Sequence, residues 1–250
     1  IVRASGVVLS YLFVPLYLEF LGSEAYGLVG FYSTLMGVLA FADMGLTATL
    51  NREMARLSVQ QDSTGDQADL LRTYETAYMW ISLTLALLVW FLAPFIANRW
   101  LQSNTLDPQE IVSVIRIMGI SIALQLLSNL YIGGLMGLQK QILTNSFQVG
   151  WGVLRGVGVV LVLWLFSSTT FAFFCWQLFT NIGYWFAART TLWHAVSPGA
   201  IRPRFKWFVC QNTWRYALGM AGMAFLSTVL MQTDKLAASK LLPLETFGYY

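Results

Sequence analysis

The sequence predicts an all-α protein, a polytopic bundle of helices that cross a lipid bilayer several times. Of its 250 residues, 57% are hydrophobic and only 11% are charged, whereas average soluble domains carry about 25% charged residues. The mean hydropathy is +0.60. The chain also holds 10 tryptophans and 11 tyrosines, and both types are enriched where membrane helices meet the polar interface. These observations together exclude an ordinary soluble domain.

Long apolar segments predict seven membrane spans and the beginning of an eighth. A helix needs about 20 predominantly apolar residues to cross the hydrocarbon core. The first segment lacks the cleavage site of a signal peptide and leads straight into the second, so we interpret it as a membrane helix. The chain starts at Ile1 and stops as a helix begins, which we interpret as a piece of a longer protein. The predicted spans cover residues 4–22, 26–50, 74–97, 113–138, 141–166, 170–190 and 214–242, with 245–250 opening the next.

Basic residues are distributed unevenly between the connections, and this predicts the orientation of the helices. If the N-terminus is cytoplasmic, ten lysines and arginines fall on or near the cytoplasmic side and four fall toward the outside. An excess of this kind follows the positive-inside rule. We therefore expect a multi-pass protein whose N-terminus lies in the cytoplasm.

An internal repeat divides the chain. The segment LGSEAYGL at 21–28 aligns with LPLETFGY at 242–249, an offset of 221 residues. Six predicted spans separate the copies, so both have the same orientation in the membrane. Parallel repeats of this kind build two-lobed transporters with a central cleft. We expect a first six-helix lobe over 1–193, a cytoplasmic linker over 194–213, and the start of the second lobe over 214–250.

Arg155 is the sole charge in the 26-residue segment 141–166. An arginine at the centre of a membrane helix costs roughly 2.5–3.5 kcal/mol on insertion scales and usually faces a bundle interior or a cavity. Two interpretations stay open. Arg155 either binds an anionic substrate in the central cavity through charge-assisted hydrogen bonds, or pairs with a carboxylate of a neighbouring helix such as Asp43. Gly152 and Gly156 form a G-x-x-x-G pair, which predicts close helix approach beside it.

The second predicted span carries Asp43 about two thirds of the way along it, counted from outside. A carboxylate in a low dielectric can exchange protons, which suits coupling to a proton gradient. The alternative role is structural, as an acceptor for a nearby helix end or as a partner of Arg52 or Arg155. Arg52 and Arg56 lie at the cytoplasmic end of the same segment, where we expect surface anchoring and gate contacts.

The seventh predicted span carries charges near its outer end. Asp234 and Lys235 are adjacent and point about 100° apart on a helix, so at least one faces another helix or the cavity. Lys235 either contributes to substrate binding or snorkels to the interface. The shorter Asp234 is a candidate for coupling or gating. At the repeat offset Glu19 corresponds to Lys240, and these opposite charges either close an outer gate or lie solvated at the rim.

Several classes of function are disfavoured by what these 250 residues lack. Two distant cysteines and one histidine are too few for a His/Cys metal site. A net charge of +3 is too small to argue for nucleic acid, and the sequence holds no P-loop motif for a nucleotide. No long connection carries the clustered acids that a membrane enzyme needs. We expect a transporter without a cofactor rather than an enzyme.

Short motifs carry a resemblance to a known family. They are PLYLEFLG at 15–22, EAYG at 24–27, FADMGLTA at 41–48, NREMAR at 51–56 and MQTDKLAAS at 231–239. In these the chain resembles the O-antigen and polysaccharide flippases, the oligosaccharide-lipid branch of the superfamily that also holds multidrug and toxin exporters. The resemblance extends over most of the chain and is specific mainly in the first, second and seventh helices.

The resemblance implies transport of undecaprenyl-diphosphate-linked oligosaccharide across the bacterial inner membrane, in O-antigen lipopolysaccharide or other surface polysaccharide biosynthesis. The implied mechanism is alternating access between two lobes, driven by a proton or sodium gradient. The implied partners are the lipid-linked oligosaccharide, membrane lipids, a polysaccharide polymerase and a chain-length regulator. A cation-coupled multidrug or toxin exporter of the same fold stays open as an alternative, although such an exporter needs an acidic cavity for its cations, and Arg155 favours anions. A membrane-embedded polymerase or glycosyltransferase is a further alternative.

Overall fold

The computed structural model describes residues 15, 17–60, 64–101, 103, 106–165, 169–196, 203–205 and 207–249, with side chains left out at 207–218 and 248–249. All regular structure in these ranges is helical, which confirms the all-α prediction. The helices are α1 (Ser23–Leu39), a 3-10 turn (Ala40–Asp43), α2 (Leu46–Ser58), α3 (Thr64–Phe95), a π turn (Ile96–Trp100), α4 (Pro108–Gly137), α5 (Gln141–Leu165), α6 (Thr170–Val196), α7 (Trp207–Leu241) and α8 (Leu244–Tyr249).

Among the described residues, four stretches are long and apolar enough to cross a membrane: Ser23–Asp43, Thr64–Trp100, Pro108–Gly137 and Gln141–Leu165. The chain is therefore a multi-pass membrane helix bundle. Helices α6 and α7, with 27 and 35 residues, have the length of a span but contain more polar residues. Of the first predicted span, 4–22, residues 15 and 17–21 are helical, Gly22 is not, and 4–14 and 16 lie outside the described residues.

The second predicted span is not one continuous helix, so the prediction for 26–50 was wrong. The chain leaves α1 through the 3-10 turn and passes two residues with left-handed backbone, Met44 at φ 49° and Gly45 at φ 69°, before α2 begins. Glycine adopts this conformation without the Cβ penalty. From Ser23 to Asp43 a rise of 1.5 Å per residue covers about 30 Å, the whole hydrocarbon core. Asp43 therefore lies at the C-terminal end of the span and not two thirds of the way along it.

Other helices extend beyond the apolar segments that predict them. Helix α3 starts ten residues before the predicted position 74. Helix α6 continues to Val196, and α7 begins at Trp207, so the predicted linker 194–213 is helical at both ends. Hydropathy stops a predicted span where charges appear, but a charged residue on an exposed or paired face does not stop a helix. The stretch 207–213 carries no charge.

Helix α4 is the centre of the bundle. It packs against α2, α3 and α6, and it is the most buried of the four candidate spans, whereas α5 is the least buried. Its side chains Ile115, Met118, Leu130 and Tyr131 are fully buried. Helix α5 packs mainly on α6. Arg155 therefore lies on a peripheral helix that faces the bundle along one side.

The two copies of the sequence repeat contact each other, because α8 packs against the first half of α1. A Cβ atom at Gly27 would lie 2.1 Å from the carbonyl oxygen of Leu244, so only glycine permits this approach. Phe247 packs over Gly30, one turn further along α1, and both Leu244 and Phe247 are buried. The contact places the second copy of the repeat directly on the first.

Candidate functional site

Arg155 lies where three helices meet. Its Nε donates a hydrogen bond to Oε1 of Gln177 on α6, and its Cζ lies 5.9 Å from the ring centroid of Tyr32 on α1. Beside it, the Tyr17 hydroxyl donates to the carbonyl oxygen of Gly156 at 3.4 Å. We call Tyr17, Tyr32, Arg155 and Gln177 the Arg155 cluster.

The cluster lies well inside the membrane. At 1.5 Å per residue, Arg155 is about 15 Å from the end of α5 at Leu165, Tyr32 is about 14 Å from the start of α1, and Gln177 is about 10 Å from the start of α6. The four candidate spans alternate in direction, and α6 follows the fourth, so these three ends lie on the same side of the membrane. Three independent measures of depth therefore agree. The cluster occupies the region where a charge is costly.

No carboxylate neutralises Arg155 within the described ranges. Its one hydrogen bond there goes to the neutral amide of Gln177, through Nε, and leaves the two terminal nitrogens without a hydrogen-bonded protein partner. The anticipated partner Asp43 is engaged elsewhere: it accepts hydrogen bonds from the hydroxyls of Tyr78 and Thr47. The Arg155–Asp43 pair is therefore absent. An unpaired, half-buried guanidinium presents a fork of donors that fits a carboxylate or a phosphate.

Buried polar atoms without partners lie near this cation. The hydroxyl of Tyr32 and the indole nitrogen of Trp176 have no hydrogen-bond partner among the described residues. An unsatisfied buried group of this kind costs about 1–3 kcal/mol. The Trp176 ring lies against Gly158, about one turn from Arg155, so its nitrogen is a neighbour of the cluster and not a member of it.

The G-x-x-x-G prediction beside Arg155 is wrong for Gly152. A Cβ atom at Gly152 would meet no described atom within 4 Å, whereas one at Gly158 would lie 2.3 Å from the Trp176 ring. The close approach of α5 to α6 is therefore at Gly158, one turn beyond Arg155. Spacing alone identifies a pair of glycines but not the face that meets the neighbouring helix.

Asp43 joins the helix break to α3. The hydroxyls of Thr47 and Tyr78 both donate to its carboxylate and lie 2.7 Å from each other, and Tyr78 is fully buried. These contacts support the structural interpretation of Asp43. A role in coupling stays a prediction.

Sequence reasoning missed the most heavily hydrogen-bonded carboxylate in the described part of the chain, Glu75. Its side chain is 4% exposed. One oxygen accepts from Arg189 Nε at 2.7 Å, Tyr131 Oη at 2.7 Å and Trp193 Nε1 at 3.4 Å, and the other accepts from Arg72 at 2.9 Å. This Glu75 node ties α3, α4 and α6 together. The signal in the sequence is an acid in the first turn of the predicted span 74–97, three residues after Arg72.

The charges of α7 do not form the predicted pair with the N-terminal region. Glu19 and Lys240 are both exposed and form no ion pair with each other. Lys240 Nζ instead lies 5.0 Å from the ring centroid of Trp100, whose indole nitrogen donates to Ser239 at 3.1 Å. An outer gate that pairs Glu19 with Lys240 therefore stays a prediction for another conformation.

The remaining predicted residues lie away from the Arg155 cluster. Asp234 and Lys235 are exposed on α7, and Arg52 is exposed on α2. Arg56 forms an exposed ion pair with Glu53 at 2.8 Å, in agreement with a position near the membrane surface. In the ranges that the structure covers, no three His, Cys, Asp or Glu residues are grouped as a metal site would require.

Comparison with known proteins places the chain in a family. A family model described as "Polysaccharide biosynthesis protein" matches residues 2–250. Searches of curated proteins and of solved structures give no significant match. The family match covers nearly the whole chain and agrees with its all-helical, multi-pass architecture. The chain belongs to the polysaccharide biosynthesis protein family, the family of the O-antigen and polysaccharide flippases.

Proposed function

We propose that the protein carries lipid-linked oligosaccharide units, on an undecaprenyl-diphosphate carrier, across the bacterial inner membrane for surface polysaccharide biosynthesis. One observation carries the proposal: a guanidinium about 15 Å inside the membrane that no described carboxylate neutralises. A diphosphate linked to a glycan is an anion of the chemistry that this fork of donors binds. Family membership supports a part in polysaccharide biosynthesis.

The charge of the cluster argues against the alternative of a cation exporter. A cavity for cationic drugs needs an acidic lining, and the described side chains of the Arg155 cluster are one cation and three neutral groups. A transporter performs no chemistry on its cargo, so the proposal needs only binding and release. An acyl, glycosyl or phosphoryl transferase would need a nucleophile or base within reach of the bound anion, and the cluster supplies none.

Alternating access completes the proposal. The first lobe, held together around α4, rocks against a second lobe that begins with α7 and α8, and the site is exposed to each side in turn. The N-terminus lies in the cytoplasm, and a proton or sodium gradient drives the cycle. Asp43 and Asp234 are the candidates for coupling. A polymerase and a chain-length regulator receive the transported unit.

The proposal is tested in a strain that lacks the gene and carries the wild type, Arg155→Ala or Arg116→Ala at matched membrane levels. Arg116 is the control because it is also a membrane arginine, but it stacks on Trp90 at 4.7 Å outside the cluster. We expect wild type and Arg116→Ala to restore surface glycan. Arg155→Ala is expected to leave lipid-linked units in the cytoplasmic leaflet.

Two other outcomes would change the conclusion. Normal surface glycan in the deletion strain, with no second flippase present, would contradict the proposed function. Full rescue by Arg155→Ala would keep the function and remove Arg155 from the binding site.

A further inference from the structure

The hydroxyl of Tyr32 is a buried donor that the described part of the chain leaves unused. The side chain is 3% exposed, its ring packs edge-to-face on Phe174 at 5.7 Å, and its ring centroid lies 5.9 Å from Arg155 Cζ. The hydroxyl oxygen lies within reach of the donors of Arg155 and Asn181, but no hydrogen bond of normal geometry joins it to either. A phenylalanine would pack equally well here, so packing does not explain the hydroxyl.

The neighbours of this hydroxyl do not satisfy it. A guanidinium has donors and no acceptor, so Arg155 offers nothing to which the hydroxyl can donate. Asn181 directs its amide nitrogen at the carbonyl oxygen of Ser121, at 3.5 Å. Gln177 uses its oxygen as the acceptor of Arg155 Nε. The Tyr32 hydroxyl and the terminal nitrogens of Arg155 are thus neighbouring donors, and no described side chain accepts a hydrogen bond from either of them.

We propose that Tyr32 is the second binding residue of the Arg155 site, and that it donates to the same oxyanion that the guanidinium binds. The inference rests on the proposed function and deepens it, because it specifies the ligand group. That group bears oxygens without hydrogens: the diphosphate of the carrier lipid or the carboxylate of an acidic sugar. A neutral sugar hydroxyl brings its own proton and no charge, so it satisfies this pair of donors less well.

The test uses the whole protein, purified and placed in nanodiscs of zwitterionic lipid so that no anionic lipid competes. Binding of farnesyl diphosphate, methyl glucuronide and methyl glucoside is followed by tryptophan fluorescence, for which Trp176 is a reporter beside the site, against Gly158. The variants are Tyr32→Phe, Arg155→Gln and the double variant. Tyr184→Phe is the matched control, since it removes the hydroxyl of another buried tyrosine, which packs on Trp151 at 5.3 Å.

We expect Tyr32→Phe to weaken binding of one anionic probe about tenfold, as the loss of a hydrogen bond to a charged group does. Tyr184→Phe should bind like the wild type. The effect of Tyr32→Phe should shrink in the Arg155→Gln background, because two donors on one anion are coupled. The probe that loses affinity identifies the source of the oxyanion. A loss with farnesyl diphosphate would indicate the diphosphate of the carrier lipid, and a loss with methyl glucuronide would indicate the carboxylate of an acidic sugar.

Three results would overturn the inference. Unchanged anion affinity in Tyr32→Phe together with lost affinity in Arg155→Gln would leave the proposed anion site intact and remove Tyr32 from it. If only methyl glucoside binding depended on Tyr32, the ligand of its hydroxyl would be a neutral sugar and not an oxyanion. Absence of any anion binding by the wild type would contradict the proposed function itself.

A second measurement is independent of any ligand. Without ligand, Tyr32→Phe is expected to melt at the same temperature as the wild type or higher, because an unsatisfied buried hydroxyl has been removed. A clear fall in melting temperature, beyond that of Tyr184→Phe, would show a structural partner for the hydroxyl and would overturn the inference.

Discussion

Replacement of Glu75 by glutamine is expected to weaken the first lobe while leaving its packing volume unchanged. The retained amide oxygen can still accept from Arg189 and Tyr131, but it carries no negative charge, so both bonds become weaker. The loss is about 1–1.5 kcal/mol for each bond. Arg72 would face an amide nitrogen instead of an oxygen. Its side chain is 48% exposed, so it can turn to solvent at little cost.

The sum is about 2–3 kcal/mol, already reduced because Arg189 is itself 37% exposed and therefore partly screened. For a chain of this size the melting temperature should fall by roughly 4–12 °C. The assay is thermal unfolding of the purified protein in one detergent, followed by tryptophan fluorescence and by the monodisperse fraction recovered after heating.

The control is Glu53→Gln, which removes a carboxylate from an ion pair with the same i, i+3 spacing. Arg56 and Glu53 lie 2.8 Å apart, and Arg56 is 58% exposed. Exposed pairs contribute about 0–1 kcal/mol, so this variant should melt within a few degrees of the wild type. Equal shifts in the two variants would refute the reasoning, because burial and the number of donors would then not matter.

Two further predictions concern contacts made by α5 and by the helix break. Gly158→Ala should destabilise the lobe by about 1–3 kcal/mol, because the new methyl group meets the Trp176 ring. Gly152→Ala on the same helix places its methyl group in open space and should stabilise the protein by up to about 1 kcal/mol. Equal melting temperatures of Gly158→Ala and Gly152→Ala would contradict the assigned face of α5. Tyr78→Phe should cost about 1 kcal/mol, since Asp43 loses one of two hydroxyl donors; limited proteolysis near residue 45 should then become faster, and an unchanged cleavage rate would contradict the role of this contact.

Hydropathy predicted which segments enter the membrane, but it did not predict where the helices end. The apolar cores of α3, α4 and α5 lie where their segments indicate. Helix α3 begins ten residues before the predicted span, and this extension carries Arg72, which forms an ion pair with Glu75 at 2.9 Å; Glu75 also pairs with Arg189, 114 residues further along the sequence. A scale that scores residues singly counts such an acid as a penalty. The contact that removes the penalty is visible only after folding.

For a similar reason the sequence predicted one residue of the candidate site, Arg155, but not the residues around it. Arg155 stands out because charge in an apolar segment is rare. Tyr32 and Gln177 do not stand out, since aromatic and amide residues are common in membrane helices and usually serve anchoring or packing. Their relation to Arg155 depends on how α1 and α6 are rotated about their axes. That rotation is set by contacts such as the packing of Tyr32 on Phe174, two residues that are 142 positions apart in the sequence.

The contact between the two repeat copies makes each copy part of the environment of the other. In a symmetric dimer, one substitution changes both sides of an interface at once. Here the copies are joined in one chain, so each side can change alone. Glu24 and Glu245 hold equivalent repeat positions, yet Glu24 is buried and accepts a hydrogen bond from Ser103 at 2.9 Å, whereas Glu245 is exposed. The same residue has acquired two environments, so exchanging the two segments between their positions would not regenerate the same interface.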